Sequence, residues 1–148
     1  MKISITLFIF FISGIIYAQI DTQIRFQSNS RKYYVWNSEV NTYELKDTEF
    51  ENSTIDIREI GSKSNGYVVI GMVDNGLARL HHGSITNYSQ DNENEGTWQM
   101  RSKLVKAKIT YNAKENTITY LYDATKERFL RIIIFSLVQS ESNKENNN

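Results

Sequence analysis

The chain has 148 residues, no cysteine, no proline, two histidines, and 17 basic against 17 acidic residues. Without cysteine there are no disulfides, zinc–thiolate sites, iron–sulfur clusters or thiol nucleophiles, so an apolar core must carry the fold. The balanced charge gives no electrostatic reason to expect nucleic acid or an anionic membrane surface as a partner.

The first residues, MKISITLFIFFISGIIYAQI, read as a secretory signal peptide. Lys2 is a minimal positive region, Ile3 to Ile16 is largely apolar, and Ile16-Tyr17-Ala18 puts a small residue at the cleavage position. The apolar run is short for a bilayer span of about 20 residues, and polar residues come in from Gln19 onward. The expected organisation is a signal peptide over 1–18, a single β domain over 19–139 and a polar tail over 140–148. The expected location is exported, periplasmic or extracellular, with no transmembrane segment after signal removal.

Period-two alternation dominates the chain beyond the signal peptide. Candidate strands are 20–27, 31–36, 42–45 and 54–60. In the last of these Ile55 and Ile57 share one face, and Asp56 and Arg58 the other. Gly61 to Gly66, GSKSNG, reads as a loop. Strands at 67–73 and 77–82 flank Asn75-Gly76, a pair that accepts positive φ in a type I′ hairpin. A long polar loop is expected from Gly83 to Gly96, then a short strand at 98–101. Val105, Ala107, Ile109 and Tyr111 alternate with Lys106, Lys108 and Thr110. After the turn Asn112–Asn116, the residues Ile118, Tyr120 and Tyr122 fall on one face. Arg128–Val138 is more continuously apolar and reads as a strand buried on both faces. No helical stripe of useful length occurs. The expected fold is all-β: an antiparallel meander forming a small barrel or barrel-like sandwich of about eight to nine short strands.

The stretch Gly76–Gly96, GLARLHHGSITNYSQDNENEG, holds both histidines and an acidic run. Adjacent strand residues point to opposite faces, so His81 and His82 do not make a joint metal site. His82 shares its face with Ala78 and Leu80 and is therefore the one expected nearer the core, while either histidine, His82 or His81, is a candidate to line a ligand pocket at the barrel mouth. Asp91, Glu93, Glu95 and Gly96 match the opening positions of a calcium loop. The match fails at Ser102, where such a loop needs Glu. Tyr34 and Trp36 share one strand face, and with Trp98 they are further ligand-binding candidates, since aromatic rings stack on sugars or line cores. Arg101, Lys103, Lys106 and Lys108 form a local basic patch, read as a solvated face balanced by acids such as Glu93 and Glu95.

No nucleophile elbow, phosphate-binding loop, dinucleotide fingerprint or H-E-x-x-H motif is present. Neither a metal nor a cofactor is expected. FFISGIIYAQ with short strands after it, together with the internal hairpin KITYNAKENTITYLYD, resembles the uncharacterised small exported β-rich proteins of Bacteroidota, a resemblance that implies no catalytic residues. Lipocalin-like barrels are a looser analogy of architecture. Their early G-x-W has no counterpart here, because Tyr34-Val35 precede Trp36 and Gly96-Thr97-Trp98 comes late. The expected function is an exported non-enzymatic domain that binds a small ligand, a glycan or a protein partner. The alternatives are a small hydrolase or isomerase using His82 or His81 with a carboxylate, and a structural envelope protein without ligand.

Overall fold

A computed structural model describes residues 21–103 and 105–138. The expected signal peptide and tail fall outside these residues. The described chain holds nine strands and no helix: β1 (Asp21–Asn37), β2 (Thr42–Glu49), β3 (Ser53–Ile60), β4 (Ser62–Asp74), β5 (Leu77–Asn92), β6 (Glu95–Arg101), β7 (Lys106–Asn112), β8 (Thr117–Ala124) and β9 (Phe129–Leu137).

All pairings are antiparallel, and the sheet order is β2-β1-β3-β4-β5-β6-β7-β8-β9 with β1 also pairing β9. Eight strands therefore close into an up-and-down barrel, which removes the exposed sheet edges of an open meander. β2 is the ninth strand and lies outside the barrel wall. It pairs with the second half of β1 (Arg31↔Glu49 to Asn37↔Thr42), while β3 pairs with the first half (Asp21↔Ile60 to Ser28↔Ser53). One edge of β1 thus serves two strands in succession, and its other edge closes the barrel against β9 from Ser28↔Leu137 to Val35↔Arg131. The Ser28–Ser30 segment, expected as a break between two short strands, is a bulge inside one long strand. A bulge adds twist and bends the strand, which lets β1 turn the corner of the closure.

Hairpin chemistry agrees with the residues. Asn75 and Gly76 both have positive φ, 50° and 77°, as a type I′ turn requires. Two expected loops are strand instead. β4 begins at Ser62, and its register jumps from Glu59↔Gly66 to Ile60↔Ser62. β5 runs through the polar stretch to Asn92, pairing Ser84↔Arg101 to Asn92↔Glu95 with two irregularities. Backbone pairing to β6 holds these polar residues in a strand that their side chains alone do not announce.

The interior is filled. Ile55 and Ile57, Val68 and Ile70, Trp98 and Met100, Ala107 and Ile109, Ile118 and Tyr120, and Ile133 and Phe135 are buried and form one cluster. They are the period-two inward positions of β3, β4, β6, β7, β8 and β9. An eight-stranded barrel is just wide enough for side chains to fill it. β9 alternates as well: Ile133 and Phe135 are buried, but Ile132 and Ile134 only half so, which corrects the expectation of burial on both faces. A strand of a closed single-layer barrel has only one face toward the core.

The two ends differ. At one end Trp98 Nε1 donates to the buried Glu59 Oε1 at 3.1 Å, Tyr88 packs on Trp98 at 5.2 Å between centroids, and Phe26 packs on Tyr111 at 4.8 Å. The acidic run lies in the β5–β6 hairpin at this end. There Thr97 Oγ1 donates to Asp91 at 2.6 Å, and Asn112 Nδ2 donates to Glu95 at 2.7 Å. At the other end the rim is uneven. β4 and β5 continue past their neighbours, because β4 leaves β3 after Met72 and β5 meets β6 only from Ser84 on. The β8–β9 hairpin also stands tall, since β7 and β8 part after Lys108↔Leu121 while β8 and β9 pair as far as Ala124↔Phe129.

Candidate functional site: the open mouth of the barrel

The taller end opens into a cavity of about 140 Å³ lined by Arg31, Tyr33, Met72, Asp74, Arg79, His81, Tyr122, Arg131 and Ile133, with Glu49 at its edge. The phase of β5 decides which histidine enters it. Gly83 and Ile85 are buried, so His81 points inward and His82 outward, where it is exposed. The sequence suggests the reverse, because Ala78 and Leu80 share the face of His82. Both are exposed, since this part of β5 overhangs the rim and its apolar residues meet solvent rather than core.

His81 reaches across the mouth to β8. Its Nδ1 lies 3.0 Å from the Tyr120 hydroxyl, and its ring packs on Tyr120 at 5.6 Å and edge-on to Tyr122 at 5.3 Å. The Tyr120 and Tyr122 rings are stacked, 4.8 Å apart and within 10° of parallel. Burial, with the nearby Arg79 charge, lowers the His81 pKa from 6.5, so the imidazole is neutral at pH 7. Burial also raises Tyr120 and takes Tyr122 up to about 12, with Tyr33 adding to the latter, so both phenols keep their protons.

Every guanidinium at the mouth has a carboxylate. Arg79 pairs with Asp74 at 2.5 Å, and Arg131 with Asp123 at 3.2 Å. Arg31 pairs with Glu49 and stands 3.7 Å from Glu51. Hydrogen bonding to Tyr122 further holds Arg131 protonated. The opening therefore offers fixed donors, fixed acceptors and a tyrosine face with little uncompensated charge.

The other sequence candidates lie elsewhere. Trp98 is 4% exposed in the core at the closed end. Trp36 sits on the β1–β2 hairpin, edge-on to Tyr43 at 4.9 Å and beneath the Arg128 guanidinium at 4.0 Å. Tyr43 Oη donates to the Phe129 carbonyl at 2.6 Å, which docks that hairpin on the β8–β9 turn. Tyr34 is half-buried beside it. Among the described residues, no group of three or more His, Asp or Glu converges as a metal-ligand set. Sequence reasoning does not select Arg31, Tyr33, Arg79, Tyr122 or Arg131. Alternation puts Tyr122 on the inward face of its strand, and that is the one signal the sequence carries for this set. The remainder converge through barrel closure.

The depressed His81 pKa gives a pH prediction. Below pH 6.5 the unfolded chain takes up a proton at this histidine that the folded state resists, so stability is complete above pH 6.5 and declines as pH falls toward the folded pKa. Thermal midpoints measured from pH 7.5 to 5 should fall less in His81→Asn than in the parent protein. Parallel curves would mean that His81 is not shielded in solution.

In comparisons with known proteins, no family model, curated protein or solved structure matches the chain.

Proposed function

We propose that the protein is an exported, non-enzymatic β-barrel module that binds a ring-sized neutral polar ligand at its open mouth, with the terminal sugar of a glycan as the best-fitting class. The observation that carries this reading is the charge-compensated, tyrosine-lined opening of about 140 Å³. That volume is close to the roughly 150 Å³ that accommodates a benzene ring, so a hexose, with twice as many non-hydrogen atoms, would seat one edge in the mouth and keep the rest in solvent. The opening is too small for a drug-sized molecule or a long acyl chain to enter. Paired arginines and carboxylates donate to and accept from hydroxyl groups without calling for a counter-charge, while Tyr33 and Tyr122 supply an apolar face.

The hydrolase or isomerase alternative needs a histidine hydrogen-bonded to a carboxylate in a cleft. His81 is bonded instead to a phenol, and the carboxylates of Asp74 and Glu49 are occupied by Arg79 and Arg31. The export reading rests on residues 1–18.

Saturation-transfer and chemical-shift titrations with a panel of neutral monosaccharides test the proposal. At least one sugar should bind saturably in the millimolar range, shifting resonances of His81 and Tyr122. Tyr122→Ala should weaken it at least tenfold, and Trp36→Ala should leave it unchanged. A panel without a saturable binder at the mouth rules the reading out.

A further inference from the structure

We infer that a second, lateral cleft in the rim is a binding site for a small amphipathic anion: one soluble molecule with a carboxylate, sulfate or phosphate head on an apolar body. The cleft lies where β6 and β7 end and the β8–β9 hairpin continues past them. Its volume is about 360 Å³, inside the usual ligand-pocket range of roughly 300–1,000 Å³. Phe129 and Ala124 of the tall hairpin, beside the buried Met100 and Ala107, give it an apolar side, and Arg101, Lys106 and Lys108 give it a cationic one. No acidic residue lines it among the described residues.

Two features of the charge here recur nowhere else among the described residues: an arginine without a carboxylate, and two cations directly opposed across a strand pair. Arg25, Arg31, Arg58, Arg79, Arg128 and Arg131 each pair with a carboxylate, which leaves Arg101 as the one arginine without an ion pair among the described residues. Lys106 and Lys108 have none either. Arg25 stands opposite Asp56 across its strand pair, whereas Arg101 stands directly opposite Lys106. Like charges in that position destabilise a sheet. Glu93 and Glu95, expected from the sequence to balance this patch, sit at the other end of β6. At about 3.3 Å of rise per residue that is about 20 Å away, more than two screening lengths at physiological salt. A repulsive cation pair beside an apolar cleft is the arrangement that an amphipathic anion relieves: its head neutralises the pair while its body covers Phe129 and Ala124.

Calorimetric titration of the protein with decanoate below its micellar concentration tests this. The arms are decanamide as the neutral twin, acetate as the head alone, and vesicles of anionic phospholipid as the membrane source. Saturable decanoate binding is expected, at least tenfold tighter than decanamide or acetate. The double substitution R101Q/K106Q should weaken it at least tenfold while leaving the thermal midpoint of the ligand-free protein equal or higher, because it removes a repulsion. His81→Ala, at the mouth, should leave decanoate binding unchanged, so this site can fail or stand independently of the sugar reading. Equal affinity for decanamide, indifference to R101Q/K106Q, loss in His81→Ala, or binding confined to vesicles would each overturn the inference.

Discussion

Replacing Arg31 with methionine should destabilise the barrel by about 3 kcal/mol, in the range for breaking a buried, hydrogen-bonded ion pair. The side chain is only 4% exposed and fills the place where β3 gives way to β2 along β1. β3 begins at Ser53, opposite Met72, so the Val73 carbonyl has no strand partner on that side. Arg31 supplies one: Nη2 donates to Val73 O and Nη1 to Ser53 Oγ at 2.8 Å. The same guanidinium balances Glu49 and stands near Glu51, whose buried Oε2 has no hydrogen-bond partner among the described residues. Methionine keeps much of the packing volume but leaves a carbonyl and the carboxylates uncompensated. Partial exposure of both glutamates keeps the cost below that of a fully buried pair. Arg31→Lys should lose about half as much, since an ammonium lacks the planar fork that serves several acceptors at once. Adding Glu49→Gln to Arg31→Met should recover part of the loss in a double-mutant cycle. Urea unfolding measures all four proteins; a cost under about 1 kcal/mol for Arg31→Met would show that water replaces the arginine at this seam.

Arg31 also illustrates what the sequence can and cannot disclose. The period of two is legible, as are Asn75-Gly76 and the inward faces of Ile55, Val105–Tyr111 and Ile118–Tyr122, because each is a local signal. The barrel class comes from these signals with little more than the need to close edges. Positions governed by long-range pairing are not legible. Ser84–Asn92 is strand because β6 lies beside it, and the irregularity after Ile85 breaks the alternation that would have marked it. A local rule misreads the facing of the histidines because Ala78 and Leu80 look like core, yet they belong to an overhang beyond the rim. The mouth joins β1, β2, β4, β5, β8 and β9, and the charge balance that gives it its character is set by partners far apart in sequence, such as Arg31 with Glu49. The basic patch at 101–108 is visible in the sequence, but its lack of compensation is not, since acids close in sequence are distant in space.

Gly66→Ala should be the most damaging single substitution in the molecule, costing about 4 kcal/mol or preventing folding outright. Gly66 adopts φ +134°, a region that L side chains rarely enter. A Cβ there would lie 1.9 Å from the Arg58 carbonyl oxygen, 2.9 Å from its carbon and 3.2 Å from the Glu59 Cα. All three are backbone atoms, so no side chain can swing aside. This is the bulge that realigns β4 against β3, from Glu59↔Gly66 to Ile60↔Ser62. Relief would have to shift β3 against β4, and with it the inward residues Ile57 and Val68 and the Glu59 carboxylate that accepts from Trp98. Gly76→Ala is the matched control. Its φ is +77°, but nothing lies within 4 Å of the added carbon, so it should cost only about 1 kcal/mol of backbone strain. The two variants separate strain from collision. Trp98 fluorescence locates the damage, because only Gly66→Ala should perturb the indole–carboxylate contact in protein that still folds. Equal losses in the two glycine variants would mean that the bulge yields to the new methyl, and that the closed end of the barrel is softer than its packed core implies.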